Sequence, residues 1–215
     1  MEIISVNLGR AQRIETAKSI DLTGIYKMPA TAPLRVTTLG LDGDAVCDSK
    51  HHGGVDQAVY VYGVPDYEWW AAELGRELLP GTFGENLTVG GLESATLVIG
   101  DRLHASEIIL EVTAARIPCA TLAARMGDPQ FVKRFRHAER PGVYCRVIRE
   151  GNIRAGEPLR HEPYNGQVII TVGEMFRDFY DRDWDEARLR RYLLAPIAIR
   201  DREERVKELA QLTGR

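Results

Sequence analysis

Cysteine is scarce in this chain, one-signed charge is absent, and no long apolar run interrupts it. Its three cysteines, Cys47, Cys119 and Cys145, stand at wide and unlike spacings. That pattern excludes a disulfide framework and fits a reducing compartment. Three thiolates are also too few for a four-cysteine iron–sulfur cluster. No stretch approaches the roughly 20 apolar residues that span a bilayer. The opening Met1-Glu2-Ile3-Ile4-Ser5-Val6-Asn7 carries an acid where a secretory signal has basic residues. A cytoplasmic protein with no membrane partner is expected. Lys and Arg number 28 against 31 Asp and Glu, for a formal net charge of -3, so there is no basic excess to grip nucleic acid. Loops of the G-x-G-x-x-G or Walker type are missing, as are the G-x-S-x-G elbow and any flavin or haem motif. These absences weigh against dinucleotide, ATP and serine-hydrolase chemistry.

What is present suits one main domain with an extension, since 215 residues with 44% hydrophobic and 27% charged side chains are ordinary for a globular chain. Alternation predicts strands over Glu2 to Leu8, Leu34 to Leu39, Gln57 to Tyr62, Leu97 to Ile99, Arg102 to His104 and Ile108 to Ala114. The segment between the first two reads as loop. A helix is expected from about Pro65 to Leu74, stopped by Gly75, and others from Cys119 to Met126, stopped by Gly127, and from Asp128-Pro129 to about His137. A final strand pair, Gly142 to Arg149 and Ile153 to Leu159, turns over Glu150-Gly151-Asn152. Past Glu162 three short amphipathic helices follow, interrupted at Pro196, with Asp201 and Glu204 placed as a capping box. That tail reads as a packing or oligomerisation module and leaves room for a homodimer.

Three stretches carry chemistry. In Ala115-Arg116-Ile117-Pro118-Cys119-Ala120-Thr121-Leu122, the proline suits a first helical position. Cys119 then sits at a helix start, whose partial positive charge favours the thiolate, with Arg116 adding to it. The alternative is a small buried hydrophobe, the commonest fate of a free cysteine; Cys145 reads that way on its strand. The second stretch, Asp48 to Gln57, contains His51, His52, Gly53 and Gly54, and paired glycines let backbone N–H groups converge on an anion. Cys47 with the two histidines falls short of the four ligands of a structural zinc. In the third, Gly81 to Leu87, a glycine-bent backbone presents Glu85 and Asn86, where Asn86 either holds a ligand or stitches its own loop.

The ordered pieces Gly43-Asp44, Asp48-x-x-x-His52-Gly53-Gly54-x-Asp56-Gln57-Ala58-Val59-x-x-Tyr62, Gly81-x-Phe83-Gly84-Glu85-Asn86-Leu87, Gly100-Asp101, Arg116-x-Pro118-Cys119-x-x-Leu122 and Gly142-x-Tyr144 resemble the MOSC family, the domain shared with the C-terminal part of molybdenum cofactor sulfurase. The helical tail is similar to the extension of its YiiM-like subgroup. The resemblance implies a mainly β, barrel-like domain over 1–162 and a three-helix extension over 163–215. It also implies that Cys119 ligates molybdenum in a pterin-based molybdenum cofactor. His52, Gly53, Gly54, Glu85 and Asn86 would surround the pterin and its phosphate, with Arg116 as charge partner. Family members resemble reductases of N-hydroxylated compounds, hydroxylamino-purine base analogues included, with His52 and Asp56 as proton-relay candidates and electrons from a flavin or iron–sulfur partner protein. Two rival readings stand beside this one: sulfur transfer through a Cys119 persulfide, and a cofactor carrier without turnover.

Overall fold

The computed structural model describes residues 1–16, 20–48, 52–181 and 183–214. His51, with Ser49 and Lys50 of the second loop, lies outside the described residues. The chain opens with β1 (Glu2–Gly9), a hairpin of β2 (Gln12–Glu15) and β3 (Ile20–Thr23), and the short strands β4 (Lys27–Pro29), β5 (Leu34–Thr37) and β6 (Gly40–Leu41). A 3-10 turn at Val55–Gln57 leads into β7 (Val59–Gly63) and α1 (Val64–Leu74). Then come β8 (Leu87–Gly90), a second such turn at Ser94–Thr96, β9 (Arg102–His104) and β10 (Ile109–Ala115). The helices α2 (Ala120–Met126) and α3 (Phe131–Ala138) precede β11 (Val143–Arg149), β12 (Gly151–Ile153) and β13 (Arg160–Glu162). Helices α4 (Val172–Asp178), α5 (Glu186–Leu193) and α6 (Ile199–Thr213) follow.

Eight strands make one sheet in the order β13-β9-β10-β11-β7-β8-β1-β4. Every adjacent pair is antiparallel except β7 with β8, and the crossover between those two carries α1, as parallel neighbours require. Strands β13 and β4 are the sheet's edges and do not pair with each other, so no closed barrel forms among the described residues. Helix accounts for 30% and strand for 29%. The expectation of a mainly β, barrel-like fold is corrected to a mixed, sheet-rich one.

Strand β7 is buried at all five positions. Side chains alternate across a strand, so Val59 and Val61 face one side while Tyr60 and Tyr62 face the other. Tyr62 stacks on Phe83 with ring centroids 4.5 Å apart, and Trp70 of α1 meets Phe131 at 4.9 Å. This aromatic layer joins α1 and α3 to the sheet. The same buried cluster continues into Phe176 of α4, Tyr192 of α5 and Ile197 in the connection between α5 and α6.

Local signals located the helix stops well. Gly75 and Gly127 both take the left-handed conformation that ends α1 and α2. Three expectations are corrected. The segment between β1 and β5 holds three strands too short to show a period. β12 does not return along β11 as a hairpin; it pairs with β5, Gly151 opposite Val36, while β11 lies between β10 and β7. Leu97 to Ile99 makes a single bridge, Val98 to Thr171, rather than a strand.

Candidate functional site

The glycine-bent loops, the β2–β3 hairpin and the start of α2 enclose a cavity of about 570 Å³, within the size range of small-molecule sites. Its polar wall includes Lys27, Asp44, His52, Arg116, Cys119 and Tyr144. Strand β10 delivers the seam: its register with β11 shifts between Val112 and Ala114, leaving Thr113 as the extra residue. A bulge of this kind re-aims the strand beyond it. The Thr113 hydroxyl secures the bulge, its one hydrogen shared between the backbone carbonyls of Asp56, at 2.5 Å, and Tyr144, at 3.0 Å. Cys119 then takes the position preceding α2 with extended backbone, its carbonyl accepting from the Leu122 N–H at 3.1 Å.

Burial is the largest influence on the Cys119 thiol and opposes ionisation, but it is outweighed. A hydrogen bond from His52, the nearby Arg116 guanidinium and the Leu122 N–H together lower the thiol from 9.0 to about 6. His52, from a distant loop, therefore adds the largest favourable influence, beside the Arg116 and helix-start contributions that the local sequence led one to expect. Cys145 shows the contrast: buried in the sheet beside Glu111, its thiol is pushed well up. Cys47 is exposed.

Arg116 is 4% exposed. Its guanidinium lies over the Tyr60 ring, 5.5 Å from the centroid, and over Phe135 at 5.7 Å. Burial disfavours its charge, but Tyr60, Cys119 and Tyr144 more than compensate, so the cation is held. Its Nη1 has no hydrogen-bond partner among the described residues, and neither does Gln57 Oε1 on the same cavity. Buried polar atoms are rarely left unpaired; here a cation and an acceptor border a space that a ligand would fill.

The other side of the cavity is self-contained. Lys27 Nζ lies 2.5 Å from both Asp44 carboxylate oxygens, with both side chains 8% exposed. Asp44 also accepts from Gly9 N and from Asn86 Nδ2, each at 2.8 Å. Asn86 Oδ1 accepts from the Tyr60 N–H at 3.1 Å, and its backbone bridges Tyr60 and Asn7. Gly53 and Gly84 form part of the wall with φ of 76° and 79°. A Cβ at either would come within 3 Å of Val46 or Ile25, so these walls require glycine.

Of the residues singled out in the sequence, His52, Gly53, Asn86, Arg116 and Cys119 meet at this cavity. Gly54, Asp56 and Glu85 do not line it. Gly54 and Asp56 border a separate groove of about 280 Å³ against α6. Asp56 is taken up there: Arg146 Nε lies 3.0 Å from Oδ1, and the Ile199 N–H donates to Oδ2 at 2.6 Å. It caps α6 from 143 residues away, where a local Asp201–Glu204 box was expected. Glu85 is fully buried beneath its loop, and its Oε1 accepts from Tyr67, Gly81 N and Thr88 at 2.6–2.7 Å. Lys27, Asp44, Gln57, Tyr60 and Tyr144 were not picked out as site residues. Asp44, Gln57 and Tyr144 stand in the motif pieces and could have been found there; Lys27, on a three-residue strand, left no signal.

Among the described residues no three His, Cys, Asp or Glu side chains converge to hold a metal by themselves. A soft thiolate with one open cation beside it suits a metal that arrives with ligands and negative charge of its own. The residues present fit a cofactor of that kind.

Comparison with known proteins agrees with this architecture. The Bacillus subtilis (strain 168) protein YflK is 37% identical over 158 residues, 73% of this chain and 71% of that one. A reductase of Gibberella moniliformis (strain M3125 / FGSC 7600) is 30% identical over 81% of this chain, which spans 32% of that longer protein. The crystal structure of YiiM from Geobacillus stearothermophilus superposes with a TM-score of 0.78 at 26% identity, covering 97% of this chain and 99% of that one. The MOSC domain model matches residues 48–160, just over half of the sequence and the part that contains His52, Arg116 and Cys119. This chain belongs to the MOSC domain family.

Proposed function

We propose that this chain is an oxidoreductase that holds a molybdenum cofactor through Cys119 and reduces N-hydroxylated compounds, hydroxylamino base analogues among them. A flavin or iron–sulfur partner protein supplies the electrons. The observation that carries this reading is the pairing, on one cavity, of the Cys119 thiolate with the unpartnered Arg116 Nη1. Sulfur is the ligand for a soft metal, and the buried guanidinium is the partner for an anionic oxygen. The similarity to a reductase and to YiiM supports the class of activity.

When bound, the cofactor supplies the two-electron couple by which an N-bound oxygen leaves as water. The protein does the rest. Cys119 anchors, Arg116 balances negative charge, and the glycine walls at Gly53 and Gly84 allow close backbone approach. His52, hydrogen-bonded to Cys119, holds a proton at its imidazole beside the reacting space. Two protons and two electrons convert the N-hydroxyl group to the amine and water.

Elemental analysis of purified protein, coupled to consumption of an N-hydroxylated base under a chemical reductant, tests the proposal. Stoichiometric molybdenum with turnover is expected, and Cys119→Ala is expected to lose the metal. A Cys119→Ala variant that keeps molybdenum overturns the ligand assignment. Loaded protein without turnover under any reductant favours a carrier, and a persulfide on Cys119 by mass spectrometry favours sulfur transfer.

A further inference from the structure

Gln57 ends the 3-10 turn that leads into β7, and it borders the cavity on one side and the α6 groove on the other. Its Oε1 is shut off from water and has no hydrogen-bond partner among the described residues. Arg116 Nη1, also unpaired on this cavity, belongs to a cation and calls for negative charge. The Gln57 carboxamide is neutral and sets an acceptor oxygen beside N–H donors. The two groups therefore match different parts of an occupant.

The turn that carries Gln57 is held from outside the cavity. Its neighbour Asp56 pairs with Arg146 of β11, accepts from the Ile199 N–H of α6 and, through its carbonyl, from the Thr113 hydroxyl of β10. On the other side Ala58 is buried, and the Gln57 N–H itself donates to the Gly54 carbonyl at 3.1 Å. Three elements thus fix the backbone of the turn while the Gln57 amide oxygen is left unmet. A buried acceptor without a partner costs stability, and an occupant that supplies the hydrogen recovers it with little further ordering of the chain.

An amide recognises a pattern where a charge recognises a sign. A glutamine carboxamide pairs bidentately with an N–H donor that stands next to a ring-nitrogen acceptor, the edge an aminopurine presents. An N-hydroxylated amidine, open-chain or within a base, carries that edge beside its N–O bond. We infer that Gln57 is a specificity-determining residue that receives this edge, so that the cavity selects N-hydroxylated amidine-type compounds over N-oxides, which lack the N–H. The inference rests on the proposed function for the kind of occupant, and goes beyond it in naming the part of the substrate that is recognised and the residue that recognises it. In this division Cys119 and Arg116 meet the cofactor, and the braced turn meets the substrate.

The test is calorimetric titration of cofactor-loaded protein with two bases: adenine, the amine left when a hydroxylaminopurine is reduced, and unsubstituted purine, which lacks the exocyclic N–H. Adenine should bind the wild type about ten- to a hundred-fold more tightly than purine, the size of one bidentate contact. Gln57→Met, close in shape but without the amide, should erase that preference by weakening adenine alone. With a hydroxylaminopurine under a chemical reductant, the same variant should raise KM by a similar factor, the loss falling on KM rather than kcat. Its urea midpoint should not drop, since an unmet acceptor replaced by an apolar group of like shape leaves the fold no weaker. Adenine that does not bind, equal binding of the two bases by the wild type, or a preference kept in Gln57→Met overturns the inference. So does a lowered midpoint, which would make the amide part of the scaffold, or loss of molybdenum, which would give it to the cofactor. A Gln57-dependent preference for adenine in protein that never turns over would count against the proposed reaction and leave the recognition standing.

Discussion

The Glu85–Asn86 loop and the Arg116–Cys119 seam both bury polar side chains, yet they use their hydrogen bonds differently. Asn86 is engaged on both faces of its amide and on its backbone, joining β1, β7 and Asp44. Glu85 accepts three donors on one oxygen. The Asn86 bonds join chain segments far apart in sequence, those of Glu85 close its own loop and tie it to Tyr67 of α1, and all are already made. At the seam, Arg116 keeps a nitrogen unpaired and Cys119 keeps an ionised sulfur facing the cavity. Both regions came from motif pieces that looked equally polar in the sequence. Glu85 Oε2 is also without a partner among the described residues, but it lies beneath its loop away from the cavity, whereas Arg116 and Cys119 border the space. An unmet buried group is expensive unless a ligand meets it, and of these two regions only the seam places such a group where a ligand can.

The strongest way to break this contrast is Arg116→Met. If the cation is a site residue, molybdenum retention falls roughly ten- to a hundred-fold. The Cys119 thiol also rises from about 6 toward the ordinary 9.0. The pH dependence of alkylation, measured in a Cys47→Ser background, reads that shift; an unmoved midpoint would mean that Arg116 is scaffold after all.

Asp56→Ala tests the opposite side of the contrast. It removes the Arg146 ion pair and the cap on Ile199 N–H, and should cost about 1–3 kcal/mol in urea unfolding. Molybdenum should be retained and α6 should become more open to proteolysis. Loss of metal without loss of stability would return Asp56 to the site.

The smallest effect is expected from Glu85→Gln, which keeps the accepting oxygen and should change stability by less than about 1 kcal/mol near pH 4.5. Burial, the largest influence, raises the Glu85 carboxyl above 4.5 in the folded protein. Between 4.5 and that raised value the folded state holds a proton that the unfolded chain has released, so stability falls as pH rises through the window. The variant lacks that slope, and the difference between the two unfolding curves against pH isolates it. Parallel curves would show that Glu85 is ionised in the fold.

Much of this was legible in one dimension. The alternation of β1 and the proline–cysteine–glycine punctuation of α2 emerged within a residue or two of where they lie, because period and turn chemistry are local. The strands β2 to β4 were not legible, since three or four residues cannot display a period. The pairing of β12 with β5 spans more than a hundred residues, and no local preference encodes it. The cap on α6 is non-local for the same reason: a carboxylate from a distant turn, Asp56, takes the Ile199 N–H in place of the local Asp201–Glu204 box.

The sequence by itself determined that Cys119 would follow Pro118 at a helix start and that glycine-bent loops would accompany it, because those are consequences of backbone geometry in a few consecutive residues. Only the tertiary structure decided that the thiol is ionised. Burial alone would have kept its proton; His52 and Arg116, brought to it by the bulge at Thr113 and the loop at Gly53, reverse that balance. Opposing electrostatic influences of similar size are settled by distance, and distance is what the folded chain supplies.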